Sequence, residues 1–245
     1  MSAEQWYATW FDTPWYHQLY AHRNDVEAQR FITKLAQFIG LRPGQKVLDA
    51  ACGKGRHARI LHQLGMVTDA YDLSSASIAE ARAQPAEGLC FYVHDMLTPF
   101  SVGGYDAVFN LFSSFGYFED DTKNRTALES MICSVKPGGY FVLDYLNPEF
   151  VVKHLVPKEI INRGEVQYHI RRRIENGYVV KDIDFLAAGV HHEYQERVRL
   201  INYSLFREWL QQAGTAVSHV FGDYHLGPFI SGQSDRMIFV CRKDV

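Results

Sequence analysis

Apolar residues recur along the chain with two spacings, and these alternate from one segment to the next. Between residues 25 and 40 they recur every three or four positions, which predicts an amphipathic helix. Shorter apolar runs then alternate with helical segments, and this alternation is typical of an α/β fold. The predicted strands are 46–50, 67–72, 89–94, 105–111, 139–145, 216–222 and 235–242, and the later helices are 55–64, 75–83, 121–135 and 204–213.

Residues 155–200 follow a different pattern, in which polar and apolar residues alternate one by one. Asn176-Gly177 separates two of these runs, and Asn-Gly between alternating runs is a strong hairpin signal. We therefore predict a single α/β domain over residues 1–245 with a doubly wound, seven-stranded mixed sheet. Its last two strands form an antiparallel pair, and a small antiparallel β insertion lies between strand five and the last helix.

Composition narrows the classes of partner. Apolar residues make up 47% of the 245 residues, which is enough for a full core. The formal charge of −3 gives no overall attraction to nucleic acid or to an anionic membrane. The four cysteines are scattered, and no stretch has the pattern of a signal peptide or a membrane span. We expect a cytoplasmic protein without a nucleic-acid or membrane partner, and we leave a homodimer open.

The most informative segment follows the first predicted strand and reads VLDAACGKGRHA, residues 47–58. Glycines let the chain turn tightly, and the helix that starts there points unpaired N–H groups at a ligand. The turn therefore indicates a nucleotide or cofactor site. Gly53-x-Gly55-x-x-Ala58 also fits the loose dinucleotide fingerprint, which keeps a nicotinamide-dependent oxidoreductase as an alternative. Asp49 favours another cofactor, because a dinucleotide-binding strand is normally apolar at this position.

Two more acids stand at or just beyond strand ends. Asp72 comes about twenty residues after the glycines, where a carboxylate can accept hydrogen bonds from both ribose hydroxyls. It could instead cap the next helix, although Ser74 can fill that role. Asp69, on the same strand, is expected to be exposed. Asp95 follows the third strand, in the segment Phe91–Leu97.

Together these segments resemble the motifs of the class I S-adenosylmethionine-dependent methyltransferases. The run Phe112–Tyr117 (FSSFGY) is similar to that of small-molecule N-methyltransferases, including the amino-sugar enzymes. It lacks the N-P-P-[YF] motif of DNA adenine and protein-glutamine methyltransferases. The resemblance implies a Rossmann-like fold that binds S-adenosylmethionine and releases S-adenosylhomocysteine. It also implies that an aromatic leader, residues 1–24, closes over the site and that the insertion 155–200 covers the substrate pocket.

The resemblance assigns roles to individual residues. It puts Asp49 near the amino end of the cofactor, Asp72 at the ribose and Asp95 at the adenine amine. The implied cofactor-binding residues are Tyr16, Tyr20, Arg23, Asp49, Ala50, Gly53, Gly55, Asp72, Leu73, Asp95, Met96, Asn110 and Leu111. The acceptor side is expected to involve Phe112, Phe115, Tyr117 and, after a late strand, Tyr224.

Methyl transfer to a neutral amine mainly requires alignment, because the donor carries its own leaving group. A hydroxyl acceptor would also need a base. The histidines that could reach the pocket are His17, His94, His191 and His192, and we name none of them as catalytic. We therefore predict an enzyme without a metal that methylates a small molecule at nitrogen rather than oxygen. The alternatives are the oxidoreductase and a protein that binds S-adenosylmethionine without catalysis.

Overall fold

The structure is a computed structural model that describes residues 6–21 and 25–245. Its helices are α1 (Trp6–Trp10), α2 (Pro14–Leu19), α3 (Asp25–Phe38), α4 (Arg56–Gln63), α5 (Ser75–Arg82), α6 (Asp121–Cys133), α7 (Pro148–Lys153) and α8 (Tyr203–Gln212). Its strands are β1 (Lys46–Ala50), β2 (Val67–Asp72), β3 (Leu89–Val93), β4 (Tyr105–Asn110), β5 (Val135–Leu146), β6 (Lys158–Arg163), β7 (Val166–Glu175), β8 (Tyr178–Ala187), β9 (Val190–Arg199), β10 (Thr215–Phe221) and β11 (Arg236–Lys243).

The main sheet has seven strands in the order β10-β11-β5-β4-β1-β2-β3. Strands β1 to β5 pair in parallel, whereas β11 runs antiparallel to both β5 and β10. The predicted mixed, doubly wound sheet is therefore confirmed. Its order reverses between β1 and β4, and ligands of open α/β sheets bind at the carboxyl ends of strands beside such a reversal.

The inserted segment forms a separate antiparallel sheet in the order β6-β7-β8-β9. The predicted Asn176-Gly177 turn joins β7 to β8, and both residues have the positive φ that a type I′ turn requires (51° and 78°). The predicted β insertion is confirmed. We did not predict β6, whose six residues are mostly polar and lie at the edge of this sheet.

The leader helices α1 and α2 pack on this second sheet and form with it a hydrophobic core that is separate from those of the main sheet. Trp10 and Leu19 are buried there against apolar side chains of β7 and β8, including Tyr168 and Phe185. Thr13 starts α2, because its side chain accepts a hydrogen bond from the N–H of Tyr16 at 3.1 Å. The described part of the aromatic leader, residues 6–21, thus packs on the insertion.

Two expectations from the sequence are wrong in detail. Asp69 is buried, not exposed; it accepts a hydrogen bond from the Tyr105 hydroxyl at 2.7 Å and pairs with Lys46 at 3.1 Å. Side chains of other strands cover Asp69, since Lys46 lies on β1 and Tyr105 on β4. The strand predicted at 139–145 is longer, since β5 begins at Val135, and its register with β4 shifts to accommodate the extra residues.

In the part of the chain that the structure describes, no helix combines the length and the apolar character needed to cross a bilayer.

Candidate functional site

A pocket of about 410 Å³ lies at the carboxyl ends of the central strands, beside the reversal between β1 and β4. This volume lies in the range of small-molecule and cofactor sites. The lining comes from the leader, the turn after β1, the ends of β2 and β3, and the loop after β4. Among the described residues, none that lines the pocket belongs to β6–β9, so the second sheet reaches it only through the leader.

The pocket brings together residues from four distant parts of the sequence. The predicted cofactor residues that line it are Tyr16, Tyr20, Gly53, Asp72, Leu73, Asp95, Met96 and Leu111, and the predicted acceptor residues are Phe112 and Tyr117. The predicted residues that are buried beside it without lining it are Asp49, Ala50, Gly55, Asn110 and Phe115. Tyr224 lies behind Phe112, with the two rings stacked at 4.8 Å. Arg23 lies outside the described residues.

The turn after β1 owes its shape to two glycines with different tasks. Gly53 has a φ of 55°, and a Cβ at this position would meet no described residue beyond its chain neighbours within 4 Å, so its face is open to the pocket. Gly55 has a φ of 80°, and a Cβ there would lie 2.3 Å from the Phe91 ring. Gly53 therefore exposes backbone to a ligand, whereas Gly55 allows close packing and a left-handed start to α4.

Asp72 ends β2 and holds two loops through backbone amides. Its carboxylate accepts hydrogen bonds from the N–H of Gly53 at 2.7 Å and of Ser74 at 2.9 Å. Ser74, and not Asp72, caps α5 by accepting from the N–H of Ser77 at 3.0 Å. Burial raises the pKa of Asp72, while these amides oppose the rise. A carboxylate has about four acceptor sites, so Asp72 can still accept from two further donors in the pocket.

Asp49 lies at the end of β1 and is buried. Its Oδ2 atom has no hydrogen-bond partner among the described residues. Burial raises the pKa of Asp49 to about 7, although the backbone N–H of Ala58 and the charge of Arg56 oppose this rise. A buried acceptor without a partner is costly, so this atom suits a ligand that brings a donor or a positive charge.

Aromatic side chains of the leader close one side of the pocket. Tyr7 stacks on Tyr117 at 6.1 Å, and Phe11 meets Tyr117 edge to face at 5.3 Å. Tyr117 is itself held by a hydrogen bond from its hydroxyl to the carbonyl of Ser113 at 2.9 Å. The leader and the loop after β4 therefore form a continuous aromatic wall.

Glu196 of β9 fixes both leader helices at once. Its carboxylate accepts hydrogen bonds from the Trp10 indole at 2.7 Å and from the Tyr20 hydroxyl at 2.8 and 2.9 Å. Lys181, opposite Glu196 on β8, donates to the same Tyr20 hydroxyl and lies 3.6 Å from the carboxylate. The Tyr20 hydroxyl is thus engaged by the second sheet while the residue lines the pocket.

Sequence reasoning missed several lining residues in the first turn of α4 and in the leader. His57 stacks on Phe112 with ring centres 4.7 Å apart, and the Arg56 guanidinium lies 4.7 Å from the centre of the same ring. Arg56 and His57 directly follow the glycine turn, and this position could have identified them as pocket residues. Of the four candidate bases, His17 and His94 line the pocket, whereas His191 and His192 do not. The other unpredicted lining residues include Tyr7, Phe11, Cys52, Lys54, Tyr71 and Phe118.

Comparison with known proteins gives a consistent result. Residues 47–139 match a family model described as a methyltransferase domain. The chain is 25% identical over 185 residues to dTDP-3-amino-3,6-dideoxy-alpha-D-glucopyranose N,N-dimethyltransferase of Streptomyces fradiae, an alignment that covers 72% of each protein.

Two solved structures share the whole architecture. The CcbJ methyltransferase of Streptomyces caelestis superposes with a TM-score of 0.79 at 17% identity, covering 97% of this chain and 99% of that one. The sugar N-methyltransferase KedS8 of Streptoalloteichus sp. gives 0.74 at 21% identity, covering 94% and 93%. At these identities the likeness shows the fold.

We expect Glu196→Gln to loosen the leader, because it removes the charge that Trp10, Tyr20 and Lys181 share. Loss of charge-assisted hydrogen bonds of this kind costs about 1.5–3 kcal/mol. Amides of residues 6–21 should then exchange with deuterium at least about tenfold faster. The control is Glu193→Gln, an exposed carboxylate on the same strand. Equal exchange in both variants would show that Glu196 does not hold the leader.

Proposed function

We propose that this chain, which belongs to the class I S-adenosylmethionine-dependent methyltransferases, methylates the amine nitrogen of a small molecule. The observation that carries this proposal is the pocket itself. It joins Asp72 and Asp95, on one side, to an aromatic wall formed by rings of the leader and by Phe112 and Tyr117, on the other. A pocket of about 410 Å³ is of the size that small-molecule and cofactor sites have.

The residues present fit the cofactor. Asp72 retains acceptor sites for the two ribose hydroxyls, and Asp95 with the N–H of Met96 suits the adenine edge. Asp49 Oδ2, which accepts no hydrogen bond from the residues that the structure describes, suits the positive amino group at the other end of the cofactor. When bound, S-adenosylmethionine supplies an electrophilic methyl group on a sulfonium. The site's own contribution is then to bind, to orient and to exclude water.

Aromatic rings can attract a positively charged group and exclude water from the pocket. Ring faces attract cations, and a desolvated contact of this kind contributes about 2 kcal/mol. Tyr16 and Tyr117, which line the pocket, therefore favour a positively charged group there and keep water out. The amine must lose its proton before it reacts. Histidine titrates near neutral pH, and His17, His57 and His94 line the pocket, but we assign none of them as a general base.

The relatives support nitrogen in a small molecule as the acceptor. The Streptomyces fradiae protein is named as an N,N-dimethyltransferase of a nucleotide amino sugar, and KedS8 as a sugar N-methyltransferase. The match to a methyltransferase domain disfavours the nicotinamide-dependent alternative. Cytoplasmic location, the absence of a nucleic-acid partner and a homodimer stay predictions.

We further propose that the leader is a lid over the cofactor and that the insertion acts as its support. The second sheet contributes no lining residue among those described, yet Glu196 holds Trp10 and Tyr20 of the leader. In this proposal residues 155–200 do not cover the pocket directly. They hold the leader, and the leader covers it.

Asp72→Ala should weaken binding of S-adenosylhomocysteine, because the ribose hydroxyls lose their acceptor and the Gly53 amide loses its anchor. We expect micromolar-order affinity for the native chain, about −8 kcal/mol, and a loss of at least about tenfold in the variant. Isothermal titration calorimetry measures both. Asp120→Ala is the matched control, since Asp120 also accepts from a backbone N–H but lies outside the pocket. Equal affinities in the two variants would remove the ribose assignment.

The acceptor class is tested with a labelled methyl donor and a panel of small amines, amino sugars, phenols, tRNA and protein extract. We expect label mainly on an amine or amino sugar. Label mainly on tRNA or protein would refute the small-molecule proposal. Label on a phenol would retain the pocket but overturn the preference for nitrogen. Binding of the donor with no transfer to any acceptor would favour the non-catalytic alternative.

A further inference from the structure

The loop after β4 contains two adjacent residues in a strained backbone conformation. Phe112 and Ser113 have φ values of 58° and 57°, and neither is glycine. The left-handed conformation costs such residues about 1–2 kcal/mol each. Strain of this kind persists only where the surroundings hold it, and it concentrates at functional sites. The position of this pair is informative because Phe112 lines the pocket.

Asp144 on β5 holds the strained pair through both its side chain and its backbone. Its Oδ2 accepts a hydrogen bond from the N–H of Phe112 at 2.8 Å, and its backbone carbonyl accepts from the N–H of Ser113 at 3.0 Å. Arg236 on β11 donates to Oδ1 from two nitrogens, at 2.8 and 2.6 Å, and also to the Ser113 hydroxyl at 2.9 Å. Asp144 is fully buried, and neither it nor Arg236 lines the pocket.

The same carboxylate also fixes the ring of Phe112. The Tyr224 hydroxyl donates to Asp144 Oδ2 at 3.2 Å, and the Tyr224 ring lies parallel to Phe112 at 4.8 Å. His57 stacks on Phe112 at 4.7 Å. One carboxylate therefore determines both the backbone of the pocket wall and the ring that the wall presents.

We propose that Asp144, together with Arg236, is a positioning residue that holds the wall 111–117 in the shape that aligns the methyl acceptor. The proposal rests on the proposed function, since the wall is assigned there to the acceptor side. Stability alone is a poor reason for this arrangement, because a buried ion pair is often no more stabilising than apolar side chains of the same volume. The contacts of Asp144 instead converge on a strained pair of residues of which Phe112 lines the pocket.

The test is Asp144→Asn, which keeps the size of the side chain and removes its charge. We expect kcat to fall by about 100-fold, because a misplaced contact of about 1 Å can cost this much. Affinity for S-adenosylhomocysteine should change much less. Asp106→Asn is the control, because Asp106 likewise accepts from a backbone N–H and a cation but lies outside the pocket. An unchanged kcat with only a lower melting temperature would make Asp144 merely structural and overturn the proposal.

A rescue experiment separates alignment from stability. Glycine adopts the left-handed conformation with little strain. Adding Ser113→Gly to Asp144→Asn should therefore restore kcat several-fold over Asp144→Asn alone. A gain in melting temperature without a gain in kcat would contradict the proposal. If Asp144→Asn does not fold, Asp144→Asn with Arg236→Gln leaves no buried charge unpaired, and full kcat in that variant would also overturn it.

A crystal structure of the Asp144→Asn variant shows the conformation of the wall 111–117 independently of any activity assay. We expect Phe112 or Ser113 to leave the left-handed region, and an unchanged turn would contradict the positioning role. If the native chain methylates no acceptor, the proposed function fails while this structural outcome still decides what Asp144 does to the wall.

Discussion

Carboxylates at the ends of neighbouring strands hold the loops that form the pocket. Asp72 at the end of β2 binds the Gly53 amide in the loop after β1. Asp144 on β5 binds the Phe112 amide in the loop after β4. Each side chain thus reaches across to the loop of the adjacent strand. Because the sheet fixes the spacing of the strands, these bonds fix the spacing of the loops, and the pocket is preorganised.

Burying carboxylates at the strand ends lowers the stability of the fold but creates a specific binding site. Burial raises the pKa of Asp49 to about 7, and one of its oxygens has no hydrogen-bond partner within residues 6–21 and 25–245. Burying such groups is unfavourable unless they are paired. A ligand that supplies hydrogen-bond donors and positive charge therefore binds more tightly, because it pairs them. Glu196 of the second sheet likewise holds the leader, through partly buried charge-assisted hydrogen bonds.

The sequence predicted the elements that depend on local pattern. Strand–helix alternation, the Asn176-Gly177 hairpin and the glycine turn all follow from short-range spacing, and the structure contains them. It did not predict Asp144 or Glu196, because their partners are distant in sequence. Arg236 is 92 residues from Asp144, and Trp10 is 186 residues from Glu196. Only the tertiary fold brings them together, and the burial of Asp69 likewise depends on neighbouring strands that its own pattern does not reveal.

The central claim is that the strand-end carboxylates form a preorganised site for S-adenosylmethionine. A crystal structure with S-adenosylhomocysteine tests it most directly. We expect both ribose hydroxyls within about 3 Å of the Asp72 carboxylate, with the turn at Gly53 and the wall at Phe112 unchanged from the ligand-free shape. A ligand bound elsewhere, a ribose held by other groups, or loops that rearrange to receive it would contradict the account.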